Sequence, residues 1–75
     1  RHLFYPPQAV ARGLEGEVRL LIRLSADGAI DDVGIAASSG HPILDDAAVR
    51  AAWAMGRLTV VGQKEMILPV IFRLQ

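Results

Sequence analysis

Between Gly16 and Leu24 the chain alternates. Val18, Leu20, Ile22 and Leu24 fall on one face of an extended backbone, and Arg19, Leu21 and Arg23 on the other. This pattern predicts a strand with one core face and one mostly wet face. Ser25-Ala26-Asp27-Gly28 follows, and Asp-Gly is a strong hairpin signal because glycine accepts the positive φ that tight turns need. The return strand runs over about residues 29–37, where Val33, Ile35 and Ala37 alternate with Asp32, Gly34 and Ala36.

Helical signals flank this hairpin. Tyr5-Pro6-Pro7-Gln8-Ala9-Val10-Ala11-Arg12-Gly13 reads as a short helix: proline fits its first turn, and Gly13 supplies a left-handed stop. Ser38-Ser39-Gly40-His41-Pro42 is a loop, after which residues 43–55 return to helical spacing. Leu44, Ala47, Ala48, Ala51 and Met55 form one stripe, narrow and rich in small side chains that let a helix lie close on a sheet. Gly56 ends the helix, and a loosely patterned connector over residues 57–64 leads to a last strand at 66–74. There Leu68, Val70, Phe72 and Leu74 share one face, and Ile67, Pro69, Ile71 and Arg73 the other. Proline cannot donate to a ladder, so Pro69 predicts an edge strand. The order helix, strand, strand, helix, strand predicts an α+β domain. Two helices pack on one face of a small three-stranded antiparallel sheet.

Composition narrows the function. Seventy-five residues make a single domain over 1–75, and 52% of them are hydrophobic against 21% charged. With one Trp, one Tyr and two Phe, the core is expected to be mostly Leu, Ile, Val and Ala. Eight basic and eight acidic side chains cancel, leaving no field to attract nucleic acid or anionic lipid. The absence of Cys excludes disulfides and thiolate metal sites. No apolar run approaches the roughly 20 residues that span a bilayer. The chain opens at Arg1-His2-Leu3 without an initiator Met, so it reads as a fragment of a longer protein whose anchor or address lies outside this window.

Catalytic and metal chemistry finds little support. Adjacent helical residues point about 100° apart, so Asp45 and Asp46 suit charges at a helix start better than an acid/base pair. Asp31 and Asp32 lie on a strand and face opposite ways. His2 and His41 are isolated imidazoles without a carboxylate or Cys at ligand spacing. Ser38 and Ser39 lack a nucleophile elbow, and Gly13 and Gly16 lack phosphate-loop spacing. Trp53 is expected in the packing. Arg19 and Arg23 are expected on a solvated sheet face, too few for nucleic acid. The expected class is a binding module, not an enzyme, with no cofactor and no metal. A small sheet ending in an apolar edge strand offers unpaired backbone groups to an added strand, although Pro69 also works against such pairing.

Several segments, taken in order, resemble the TonB C-terminal domain family. They are Tyr5-Pro6 with Ala9 and Gly13; Gly16-Glu17-Val18; and Asp27-Gly28 followed by Val33. Then come Ser38-Ser39-Gly40; Leu44-Asp45 with Ala47-Ala48; and Pro69-Val70-Ile71-Phe72-Arg73-Leu74. No single piece is diagnostic, but the ordered set covers nearly the whole chain. The resemblance implies a periplasmic domain of an energy transducer, anchored in the inner membrane through an N-terminal segment not in this chain and driven by the ExbB–ExbD motor. It implies binding to the TonB box of outer-membrane transporters by strand addition, for import of siderophores, haem or vitamin B12.

Carried onto this sequence, the resemblance places the partner-binding residues at Met66, Ile67, Leu68, Pro69, Val70, Ile71 and Phe72. Tyr5 and Pro6, and His2 just before them, are implied to lie near the same partner. Two departures are visible: the segment upstream of Tyr5 is truncated, and where the family has aromatic-x-aromatic-x-Pro after the second helix, this chain has Trp53-Ala54-Met55-Gly56-Arg57. The second difference bears on the connector's path. An envelope adaptor of TolA-like architecture, or a signalling or cell-wall-binding domain reusing the fold, is the alternative reading. Short domains with a free edge also exchange strands, so a strand-exchanged homodimer is among the expected assemblies.

Overall fold

The computed structural model describes residues 4–58, 62 and 64–75. Five elements follow in the predicted order: α1 (Pro7–Ala11), β1 (Gly16–Leu24), β2 (Ile30–Ala37), α2 (Pro42–Met55) and β3 (Glu65–Phe72). The strands form one antiparallel sheet in the order β2-β1-β3, with the first strand at its centre. The alternation in β1 explains this position. Val18, Leu20 and Ile22 are fully buried and Leu24 nearly so, while Arg19 and Arg23 stay exposed on the opposite face.

Both helices contribute to the core on that one face. Leu44, Ala47, Ala48 and Ala52 of α2 and Ala9 of α1 join the β1 residues, with Tyr5 and Phe72 closing one end. The small side chains of α2 allow the close approach that their spacing predicted. The far end of the stripe departs from expectation. Met55 is exposed and Ala52 fills the buried position, because Gly56 stops the helix and turns the chain toward the sheet edge. Trp53 is also exposed, at 45%. It stands nine residues after Leu44, which places it about half a turn around the helix from the core.

α1 is shorter than the predicted segment. It starts at Pro7 behind Pro6 and ends at Ala11, with Gly13 at φ 66 and the Leu14 N–H returning to the Ala9 carbonyl at 2.9 Å. Glycine is needed there because that left-handed backbone closes the helix end. The hairpin turn has its own network. The Ser25 hydroxyl donates to the Asp27 carboxylate, the Ala29 N–H donates to Ser25 Oγ at 3.1 Å, and Gly28 takes φ 90. Arg57 reaches back to the Asp27 carbonyl at 2.7 Å and its carboxylate at 3.2 Å. The Ser25 hydroxyl above all, then the Ala29 amide and Arg57, lower the Asp27 carboxyl to about 2.

The loop between β2 and α2 is organised by a residue whose role was not predicted. Asp45 is buried and accepts hydrogen bonds from the Ser38 hydroxyl, from Ser39 Oγ at 2.7 Å and from the Ser39 N–H at 2.9 Å. Burial is the largest single influence on its carboxyl and pushes it up. The bonds from Ser38 and Ser39, with a contribution from His41, outweigh that and hold it below the usual carboxylate range. Asp46 behaves as expected of an exposed helix charge, pairing with Arg50 at 3.0 Å. Gly16 packs against this loop: a Cβ there would stand 3.0 Å from Ser39 Cβ and 3.2 Å from its carbonyl.

Candidate partner-binding edge

A three-stranded sheet has two edges, and these two differ. β2 carries register shifts opposite Arg19/Leu20 and Arg23/Leu24, and bulges of this kind twist an edge away from further pairing. Its start is already covered. The Ile30 N–H donates to the Gly56 carbonyl at 3.0 Å, the Leu58 N–H donates to Gly28 at 2.9 Å, and Ala29 bridges Arg57. Exposed Asp31 and Asp32 add charge to this side.

β3 is regular along its length. It pairs with β1 without interruption from Gly16↔Phe72 to Arg23↔Glu65. The Leu24 N–H continues the ladder to the Lys64 carbonyl at 2.8 Å, and this fixes the phase of the hydrogen bonds. In an antiparallel pair, bonded and non-bonded residue pairs alternate. Met66, Leu68, Val70 and Phe72 therefore direct their backbone groups to β1, while Glu65, Ile67, Pro69 and Ile71 direct theirs outward. Pro69 thus sits where its missing N–H costs the sheet nothing. The outward row offers N–H donors at Ile67 and Ile71, and carbonyl acceptors at Ile67, Pro69 and Ile71.

The side chains alternate in the same rhythm. Met66, Leu68 and Val70 are half-buried on the helix side, and Phe72 is buried. Ile67 is 49% exposed and Ile71 is 60% exposed on the open face, with Pro69 between them. Large apolar side chains left beside unsatisfied backbone are the combination that an added strand covers. Ion pairs flank this strip: Arg23 with Glu65 at 3.2 Å, and Arg19 with Glu17 at 3.4 Å. The two cations that shared a face in the sequence are thus each matched by an acid beside them.

The other predicted site residues divide. Tyr5 is buried. Its ring meets Phe72 edge-on with centroids 5.2 Å apart, and its hydroxyl donates to the Leu14 carbonyl. Burial, and secondarily Glu15, raise the phenol above its ordinary value. Tyr5 thereby ties the N-terminal segment to the end of β3. Pro6 lines a groove of about 450 Å³ with Phe4, Pro7, Ile43, Ala47 and Arg50. His2 lies outside the described residues. At the end of β3 the Leu74 N–H donates to a Glu15 carboxylate oxygen at 2.7 Å, beside a second groove of about 470 Å³ bordered by Glu17, Ile71 and Arg73. Among the described residues, no three His, Cys, Asp or Glu side chains gather as a metal site would require. No helix there is long and apolar enough to cross a membrane.

Comparison with known proteins agrees with this architecture. The family model for the Gram-negative bacterial TonB protein C-terminal matches residues 1–74. Protein TonB of Xanthomonas campestris pv. campestris strain B100 is 40% identical over 75 residues, covering 93% of this chain and 34% of that protein. Protein TonB of Helicobacter pylori strain J99 is 40% identical over 47 residues, 63% of this chain and 17% of the relative. The solution structure of the Helicobacter pylori TonB C-terminal domain superposes with a TM-score of 0.78 at 30% identity, over 95% of this chain and 68% of that one. The Pseudomonas aeruginosa TonB C-terminal domain gives 0.71 at 34% identity, over 95% and 77%. This chain spans at most about a third of the length of these full-length relatives. Its residues, their order and their fold place it in the family of Gram-negative bacterial TonB protein C-terminal domains.

Proposed function

We propose that this domain is the periplasmic receptor-binding module of a TonB-type energy transducer. It takes up the TonB box of an outer-membrane transporter as an added strand on β3. The observation that carries this reading is the β3 edge itself: regular, outward-facing at Ile67, Pro69 and Ile71, and flanked by two exposed isoleucines. The bulged and partly covered β2 edge is the poorer template.

Backbone bonds to Ile67, Pro69 and Ile71 supply affinity that depends little on sequence. The open-face isoleucines and the half-buried Met66, Leu68 and Val70 select alternate side chains of the docked strand. Pro6 flanks the same partner, next to Tyr5, whose ring meets Phe72 at the end of β3, and His2 is read as a further contact with it.

The role is mechanical, not chemical. A docked strand pulled along its length loads its hydrogen bonds together, in shear. β3 then passes the load to the central β1 through their continuous ladder. In the full-length protein this load originates in the proton gradient, through an ExbB–ExbD motor engaged by an inner-membrane anchor, and it serves import of cargo such as siderophores or haem. The test is fluorescence anisotropy with a labelled TonB-box peptide. Ile71→Arg is expected to weaken binding roughly tenfold, the equivalent of about 1.4 kcal/mol, with little change in thermal stability. Equal binding by both proteins would remove β3 from the interface.

A further inference from the structure

The outward row of β3 is nearly complementary to itself. Let a second copy approach antiparallel, with the two-fold axis at Pro69. Glu65 then stands opposite Arg73 of the second copy, and Ile67 opposite its Ile71, with both relations repeated across the axis. Glu65, Ile67 and Ile71 lie on the same open face by strand alternation, and Arg73, exposed, directly follows the strand's last residue, Phe72. The arrangement brings Arg73 beside Glu65, which also pairs with Arg23, and covers the exposed Ile67 and Ile71 of the strand. Arg73 enters none of the ion pairs among the described residues, so its charge is available. By every neighbour but one, this edge favours its own copy.

The exception is at the axis. There Pro69 faces Pro69 of the second copy at a position where each residue would exchange both N–H···O bonds with the other. Neither proline has an N–H. In place of each hydrogen, a ring carbon is driven at the opposing carbonyl oxygen. A foreign strand meets only one proline. Its residue there still donates an N–H to the Pro69 carbonyl, and it loses a single bond. The same substitution therefore penalises self-pairing twice and a partner strand once.

We propose that Pro69 is a specificity-determining residue that excludes a second copy from β3 and so keeps the edge open for a different strand. The proposal concerns the docking edge but does not rest on the identity of the docked strand. Its test contains no peptide, so its failure leaves the transporter reading to its own experiment.

Sedimentation equilibrium is run on the wild-type chain, on Pro69→Ala and Pro69→Val, and on Pro69→Ala combined with Arg73→Glu. Hydrogen exchange is followed at the Ile67 and Ile71 amides. The wild type is expected to be monomeric with both amides exchanging freely. Either single variant lowers the dimer dissociation constant roughly tenfold or more and protects both amides. Adding Arg73→Glu, which sets like charges against each other, reverses the gain. Val also suits an edge strand, so it decides the matter if the alanine variant folds poorly. The proposal is overturned if a folded Pro69 variant stays monomeric, or if the wild type already dimerises through β3. A variant dimer that ignores Arg73→Glu and leaves Ile67 and Ile71 unprotected overturns it equally.

Discussion

Asp45 shows how much a single carboxylate contributes when the surrounding chain is arranged around it. Its acceptors satisfy two hydroxyls and one backbone N–H in a loop that has no regular structure of its own. Asp45→Asn keeps the volume but turns an amide donor toward donors, so a loss of about 1–3 kcal/mol is expected in denaturant unfolding at neutral pH. The pH dependence follows from the same bonds. A carboxyl whose folded pKa is depressed stabilises the fold above its unfolded pKa, near 4, and loses that contribution as the pH falls through the folded value. Asp45 is depressed and Asp27 sits at about 2, so stability is expected to fall progressively below about pH 4. Thermal unfolding between pH 2 and pH 7 measures this. The decline flattens in Asp45→Asn if the assignment is right and is unchanged if it is wrong. Gly16 makes a separate test: Ser39, its neighbour, is pinned by Asp45 and cannot give way. Gly16→Ala is expected to cost about 1–3 kcal/mol through overpacking.

At the scale of elements, burial separates two large residues of α2. Leu44 is fully buried against the sheet, and Leu44→Ala is expected to cost about 2–5 kcal/mol. Trp53 is half out of the core, and Trp53→Ala should cost no more than about 1 kcal/mol. Comparing the two midpoints checks the orientation of the helix. The alternation in β1 and β3, the Asp-Gly turn and the proline at an edge were all legible, because each is a local rule acting within a few residues. Position on the helix wheel was also available for Trp53, but its size suggested packing. Other features were not legible because they join distant segments. The bulges of β2 arise in register with β1. The cover on its edge comes from residues 56–58, and the ligands of Asp45 come from the loop before its own helix. The proposed docking edge came from the family resemblance, together with Pro69. The structure adds which residues of that strand have outward backbone groups, a phase that depends on the pairing of Leu24 with Lys64.

For the molecule as a whole, the arrangement suits the load-bearing binding role proposed for it. β3, the proposed docking strand, is bonded throughout to the central strand, and the helices cover only one face of the sheet. Among the described residues the opposite face and the β3 edge remain accessible, and Arg19 and Arg23 near them are each matched by an acid. The central claim is that β3 receives a strand from a transporter. Its most direct test is an amide chemical-shift titration of the labelled domain with a TonB-box peptide, with a scrambled peptide as control. Saturable shifts are expected at Ile67 and Ile71, extending to Tyr5 and Phe72, with Val33 and Ile35 on the β2 edge unmoved. Shifts confined to β2, or none at saturating peptide with a monomeric domain, would contradict it.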